Sequence, residues 1–246
     1  MARKVSKRKK PSRDDFLLKE RFKVESEVFD RSTLLVLSKL IGKGILGTVE
    51  NPISTGKEAN VFRATTPSGE YIAVKIYKME TTKFMRRKEY LEGDPRFKKF
   101  RRTERDFVYA FAQKEYKNLE ICAKAKVHAP EPLLQVKNVL IMEFLGEDGL
   151  PYTPLNVLGP DSISQLKSIL LDMRKMYRAG LVHADLSEYN LLVGPKPYLI
   201  DFGQGVVLSH PNAEKYLERD VKNIIKYFGK HGFEMDEKKA LEYIKG

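Results

Sequence analysis

Asp185, Asn190 and Asp201 sit in two short strings near the C-terminal end of the chain, His183-Ala184-Asp185-Leu186-Ser187-Glu188-Tyr189-Asn190 and Leu199-Ile200-Asp201-Phe202-Gly203. Two carboxylates and an amide form the donor set needed to move a phosphoryl group. A triphosphate and its magnesium must be neutralised and oriented by oxygen ligands, while the attacking hydroxyl needs a further carboxylate to accept its hydrogen bond. Asp185 fits the second task, orienting the nucleophile and taking its proton. Asn190, through its amide oxygen, and Asp201 fit the first, with Asp201 bridging metal and phosphates. Taken alone, Asp185 is more simply a solvated loop acid. One shared geometry argues otherwise. Leu191-Leu192-Val193 and Tyr198-Leu199-Ile200 are short apolar runs split by Gly194-Pro195-Lys196-Pro197, which predicts a tight hairpin. Its arms bring Asn190 and Asp201 to one metal across eleven positions of sequence.

The pattern H-x-D-L-x-x-x-N followed by D-F-G resembles the catalytic loop and metal-binding turn of protein kinases. That resemblance implies ATP as the phosphoryl donor, Mg2+ as the metal with Mn2+ as a substitute, and a strand lysine to pair with the phosphates. Lys75, in Tyr71-Ile72-Ala73-Val74-Lys75-Ile76, is the candidate for this lysine. Two stretches compete for the phosphate-binding loop before it. Gly42-Lys43-Gly44-Ile45-Leu46-Gly47-Thr48-Val49 matches the kinase pattern G-x-G-x-x-G-x-V letter for letter. From Gly47 to Lys75 is 28 residues, whereas two strands and a turn need only about 15. Ser54-Thr55-Gly56-Lys57-Glu58-Ala59-Asn60-Val61 stands closer, with Val61 fourteen residues before Lys75 and the turn Thr66-Pro67-Ser68-Gly69 between. Ser54, Thr55, Gly56 and Lys57 are therefore the expected nucleotide contacts, with backbone amides and hydroxyls carrying the phosphates. The glycine-rich stretch falls to the preceding turn.

A phosphate-binding lysine needs an acid to hold it. Thr103 to Lys124 reads as a helix whose apolar face carries Val108, Phe111, Leu119 and Cys122, and Glu115 falls on that face at i+4 from Phe111. An acid on an apolar stripe needs a partner, and Lys75 supplies one. The plainer alternative is a surface glutamate at the stripe's edge; Glu104 and Glu120 lie farther off this face. Val136 to Phe144 contains the strand Val139-Leu140-Ile141, leading into Met142-Glu143-Phe144-Leu145-Gly146. On its own this is a buried strand running into a turn. Between kinase-like motifs it is the linker of two lobes, where the backbones of Glu143 and Leu145 hold adenine and Met142 guards the pocket.

Together, S-T-G-K-E-A-N-V at Ser54 to Val61, Ala73-Val74-Lys75, H-A-D-L-S-E-Y-N at His183 to Asn190 and I-D-F-G-Q at Ile200 to Gln204 resemble the RIO family of atypical serine/threonine protein kinases. The S-T-G-K-E-A-N form is similar to the type-one branch, archaeal-like, rather than the type-two branch with its usual winged-helix domain. The resemblance implies a two-lobed α+β fold: an N-lobe of antiparallel sheet plus helix, and a truncated, mainly helical C-lobe. It further implies autophosphorylation or ATPase activity in small ribosomal subunit maturation, and an aspartyl phosphate at the position of Asp201. Departures from ordinary kinases point the same way. Ala184 and Ser187 replace an arginine and a lysine of the usual catalytic loop. Ala129-Pro130-Glu131 precedes that loop and cannot close an activation segment, and the 45 residues after Asp201 leave little room for a peptide-docking platform. A small-molecule phosphotransferase of the aminoglycoside or choline type, and a nucleotide-gated RNA-binding scaffold with little turnover, are the alternatives.

The supporting elements follow from periodicity. Helices are expected over Arg31 to Leu40, Thr103 to Lys124, Asp161 to Ala179, Ala213 to Phe228 and Asp236 to Ile244, within an N-lobe of 24–141 and a C-lobe of 142–246. The chain of 246 residues is 42% hydrophobic, enough for a sizeable core. One cysteine, Cys122, excludes an internal disulfide, and no apolar run reaches membrane-spanning length, so a cytoplasmic protein without a membrane is expected. The net charge of +12 is concentrated: residues 1–23 hold ten Lys or Arg against three acids, and the insertion 83–105 holds ten against four. These segments read as a basic arm, partly disordered, and a polyanion contact with interleaved aromatics. The partners implied are the pre-ribosomal small subunit with its ribosomal RNA, and a protein phosphoacceptor that includes the chain itself.

Overall fold

The computed structural model describes residues 29–79, 89–97 and 103–246. The basic arm 1–23 lies outside them, as do residues 83–88 and 98–102 of the insertion 83–105. The first helix, α1 (Arg31–Gly42), starts where the Asp30 carboxylate accepts the N–H groups of Ser32 at 2.8 Å and Thr33 at 3.2 Å. It runs two residues past the expected Leu40, and Gly44 follows in the left-handed region at φ +67°. The glycine-rich stretch is thus the turn from α1 into the sheet. A Cβ at Gly47 would come within 2.6 Å of the Thr66 carbonyl, so only glycine fits there.

Five antiparallel strands form the sheet: β1 (Val49–Thr55), β2 (Ala59–Thr65), β3 (Tyr71–Tyr77), β4 (Pro132–Val136) and β5 (Val139–Glu143), in the order β1-β2-β3-β5-β4. Lys75 pairs with Val61 on one side and Leu140 on the other, as one hairpin between Val61 and Lys75 requires. Strand alternation then divides the faces. Ile72, Val74 and Ile76 pack with Val36, Leu37 and Leu40 of α1, while Ala73 packs with the C-terminal core. Lys75 and Tyr77 share the face of Ala73. The edge strand β4 was not expected from sequence; it is short, opens on a proline and pairs on one side only.

A four-residue helix, α2 (Glu89–Glu92), precedes the long α3 (Glu104–Lys124), which the Thr103 hydroxyl caps by accepting the Asp106 N–H at 3.2 Å. After β5 come the small hairpin β6 (Gly146–Glu147) and β7 (Leu150–Pro151), then β8 (Thr153–Pro154), α4 (Leu155–Leu158) and α5 (Ile163–Arg178). The catalytic strings lie among β9 (Leu181–Val182), β10 (Leu191–Val193), β11 (Pro197–Leu199) and β12 (Val206–Val207). Two helices close the chain, α6 (Ala213–Gly229) and α7 (Glu237–Lys245), the latter capped by Asp236. Leu166, Ile169, Leu170 and Met173 of α5 meet Leu217, Val221 and Ile224 of α6 in the larger core. This is the expected α+β kinase-like fold, with sheet and α3 on one side and helices on the other. No helix among the described residues is long and apolar enough to cross a membrane.

Candidate active site

Lys75 stands at the centre of the cleft. Its ammonium lies 2.7 Å from Glu115 Oε1 and 2.9 Å from Asp201 Oδ1. Burial alone would drive off its proton, but the charges of Asp201 and Glu115 outweigh this and raise its pKa above the ordinary lysine value. Lys75 therefore stays cationic. Glu115, 1% exposed, has the partner that the apolar face of α3 demanded, and more. Its Oε2 accepts the Tyr77 hydroxyl, and its Oε1 also accepts the Phe202 N–H at 3.2 Å. Tyr77 was missed in the sequence, although its place two residues beyond Lys75 puts it on the same strand face. Burial first, then the Glu115 charge, pushes its pKa well up, so it remains a donor.

The hairpin of β10 and β11 does what its sequence suggests. Leu191 pairs with Leu199, and the Ile200 N–H donates to the Asn190 carbonyl at 3.0 Å, setting Asn190 beside Asp201. The Asn190 amide nitrogen donates to the Asp185 carbonyl at 2.8 Å, which leaves its amide oxygen for the cleft. Ala184 and Asp201 both adopt left-handed backbone, φ 61° and 65°, unusual for residues with a side chain. Ala184 is held from behind. The Ala184 and Leu186 N–H groups donate to the two oxygens of Asp220 at 2.7 and 3.0 Å, while the Arg219 guanidinium donates to the Ala184 carbonyl. Burial pushes the Asp220 carboxyl up to about 7 against the pull of those N–H groups. His183 donates through Nε2 to the Ile200 carbonyl at 3.0 Å; burial pushes it down to about 4, so the ring is neutral.

The turn after Asp201 is gripped by α3. Lys114 donates to the carbonyls of Gly203 at 3.3 Å, Gln204 at 3.0 Å and Gly205, and burial pushes its pKa down to about 7. Asn118 donates to the carbonyls of Phe202 and Gly205, each at 2.8 Å. Arg96 extends this grip, bonding both the wholly buried Asp94 and Asn118. The same segment reaches the C-lobe, where Tyr90 stacks on Tyr216 at 5.1 Å and His210 donates to the Glu89 carbonyl. On the cleft side, Gln204 Nε2 donates to Asp185 Oδ2 at 2.6 Å. Lys114, Asn118 and Asp220 were legible by the rule that found Glu115, a polar residue on an apolar helical stripe. Gln204 carried no such signal.

Ser54 and Thr55 end β1, paired with Val61 and Asn60, and with Gly56 and Lys57 they form the exposed tip of the β1–β2 hairpin. The Gly56 N–H donates to the Ala59 carbonyl at 2.9 Å, and Lys78 donates to the Gly56 carbonyl at 2.7 Å. Met142 is buried opposite Ala73. The Glu143 N–H already donates to Glu131, and the Leu145 carbonyl accepts from Tyr152, so a base at this linker would meet the Glu143 carbonyl and the Leu145 N–H. Among the described residues no group of three or more His, Cys, Asp or Glu could hold a metal ion. The set of one carboxylate and one amide fits a magnesium that brings phosphate and water as its other ligands.

Comparison with known proteins agrees with this fold. The model of the RIO domain matches residues 60–240. The RIO-type serine/threonine-protein kinase Rio1 of Haloferax volcanii is 38% identical over 253 residues, spanning 100% of this chain and 87% of its own. The Rio1 kinase of Thermoplasma acidophilum is 44% identical over 185 residues, 75% of this chain and 98% of its own. The human serine/threonine-protein kinase RIO1 is 37% identical over 89% of this chain, which spans 40% of the human protein. Among solved structures, the Rio2 kinase of Chaetomium thermophilum in its ADP/Mg2+-phosphoaspartate complex shares the fold, with a TM-score of 0.63 at 22% identity over 87% of this chain and 66% of that one. A kinase of this kind uses ATP and a divalent metal, and the chain belongs to the RIO family of serine/threonine-protein kinases.

Proposed function

We propose that the chain transfers the γ-phosphoryl group of magnesium-bound ATP to a hydroxyl presented by a large partner or by the chain itself. The observation that carries this reading is Lys75, held charged between Glu115 and Asp201, with Asn190 brought beside Asp201 by the hairpin of β10 and β11. Lys75 grips the phosphates. Glu115 fixes Lys75, and Ser54, Thr55, Gly56 and Lys57 close over the phosphates from the hairpin tip. Adenine lies against Met142 and bonds the backbones of Glu143 and Leu145. Asn190 and Asp201 are the residues that would hold Mg2+, whose positive charge would offset the charge that builds up on transfer. Asp185 accepts the hydrogen bond of the attacking hydroxyl and receives its proton.

In a second course the Asp201 carboxylate itself takes the phosphoryl group, releasing ADP; water then returns carboxylate and phosphate, which amounts to ATP hydrolysis. The phosphoaspartate of the fungal Rio2 complex supports this second course. Residues 1–23 and 83–105, +7 and +6 by their Lys, Arg, Asp and Glu content, suit a ribosomal RNA surface of an immature small subunit in the cytoplasm.

Purified protein incubated with Mg2+ and γ-labelled ATP, with and without immature small subunits, separates these outputs by where the label ends. Label on a hydroxyl of a ribosomal protein or of the chain supports the kinase reading, and hydroxylamine-labile label on Asp201 or label in free phosphate supports the hydrolase reading. Transfer at full rate by Asp185→Asn would remove the central assignment. Deleting residues 1–13 should weaken RNA binding and flatten its salt dependence; unchanged binding sinks the role of the arm.

A further inference from the structure

Gln204 is almost wholly buried, 5% exposed, yet it lies on the single helical turn that begins at Asp201. Its backbone has little freedom. Lys114 holds its carbonyl at 3.0 Å, and Asn118 holds the carbonyls on either side of it, at Phe202 and Gly205. Gly205 cannot acquire a side chain, because a Cβ there would come within 2.8 Å of Asn118 Nδ2. From this fixed base the Gln204 amide reaches across to Asp185, Nε2 to Oδ2, at 2.6 Å.

We infer that Gln204 is a positioning residue for Asp185, acting on the carboxylate that the phosphoryl-transfer reading requires and therefore resting on that reading. A carboxylate has two oxygens and several acceptor directions. A neutral amide that bonds Oδ2 fixes the rotamer, and with it the direction in which the carboxylate meets an acceptor hydroxyl, without adding a charge that would compete with the phosphates. Ser187 stands in the catalytic loop where ordinary kinases keep a lysine; the cation whose charge acts on Asp185 is Arg219 of α6, which also bonds the Ala184 carbonyl. The arrangement also joins two parts of the site. Asp201 and Gln204 ride on one turn, so a shift of that turn that misplaces the metal ligand also releases Asp185. Acceptor orientation is thereby tied to a correctly seated metal turn.

The test compares Gln204→Met, which keeps length and loses the donor, with Gln204→Lys, which restores a donor of similar reach. Gln204→Glu is the near-isosteric second variant, whose carboxyl so close to Asp185 must share a proton with it and so takes Asp185 out of its ionised, proton-accepting form. Gln204→Met and Gln204→Glu should each lower kcat for γ-phosphoryl transfer by about 10–100-fold while the ATP–Mg2+ dissociation constant stays within about twofold. Gln204→Lys should regain only part of the loss, because its charge competes with the phosphates. In an Asp185→Asn background, Gln204→Met should add less than about a further twofold, because it acts through Asp185. Wild-type kcat in the Met and Glu variants, alongside a defective Asp185→Asn, overturns the inference and leaves the phosphoryl-transfer reading standing. A full loss on adding Gln204→Met to Asp185→Asn also overturns it, assigning Gln204 to packing. An unaffected Asp185→Asn overturns both.

Discussion

Glu115 and Phe202 meet across the cleft: the carboxylate oxygen that holds the Lys75 ammonium also accepts the Phe202 N–H at 3.2 Å. The residue after Asp201 is therefore tied to the acid that fixes Lys75, and the two lobes share one hydrogen-bonding group.

Replacing Glu115 by Gln keeps the shape and removes the charge. Lys75 is then left with Asp201 as its anionic partner and draws that carboxylate away from the metal. The expected outcome is a fall in kcat/KM of about 10–100-fold with a raised Mg2+ requirement. Initial rates over a Mg2+ titration check this, and an unchanged Mg2+ midpoint would refute the competition.

The grip of α3 on the metal turn predicts a stability effect far from the chemistry. Arg96→Met leaves the buried Asp94 carboxylate without the guanidinium that bonds both its oxygens. Breaking a buried pair this way costs about 3–5 kcal/mol, a lowering of Tm by roughly 10 °C in a chain of this size. Calorimetry showing a shift of only a degree or two would mean that Asp94 finds another partner.

Much of this site was legible because each part repeats a simple rule. The hairpin of β10 and β11 announced itself by two apolar runs and a Gly-Pro-Lys-Pro turn, and Glu115 by lying on an apolar stripe. The spacing from Val61 to Lys75 picked out the hairpin that leads into the Lys75 strand and left the better-looking glycine pattern to the turn out of α1. What stayed hidden were contacts made by residues distant in sequence. Gln204 reaches Asp185 only because two backbones fold past each other, and Arg96 reaches Asn118 from a segment that reads as a charged insertion. The edge strand β4 was lost because its residues have mixed polarity and one pairing side.

The two candidate nucleotide loops are separable by substitution. Gly44→Ala forces a side chain into left-handed backbone, costing about 1 kcal/mol of stability, and should leave ATP affinity untouched. Gly56→Val places a branched side chain at the hairpin tip, where even a Cβ comes within 2.9 Å of the Ala59 carbonyl. Thr55→Val removes the hydroxyl beside it. Both should weaken ATP binding by about tenfold or more. The reverse order of effects in a nucleotide titration would show that the glycine-rich turn binds the phosphates.

Asp220 predicts a pH signature. Burial raises its pKa from the ordinary 3.8 to about 7, so the native state holds the proton more tightly than the unfolded chain. That contribution favours folding fully below the unfolded value and is lost as pH rises through about 7. Asp220→Asn cannot ionise, and one of the Ala184 and Leu186 N–H groups loses its acceptor at a cost of about 1–3 kcal/mol. The stability advantage of the wild type over Asp220→Asn should shrink between about pH 4 and about pH 7, as read from urea midpoints. A constant difference would show that Asp220 is ionised throughout.

The segment Glu89 to Phe97 lies in two cores at once. Tyr90 packs in the large cluster of the C-lobe, while Leu91 and Phe97 pack with Phe107 and Phe111 of α3. A seam stitched from both sides cannot open on one side alone. Melting either lobe strips apolar cover from the other, so the chain should come apart in a single cooperative step, and damage deep in the helical lobe should register in the sheet.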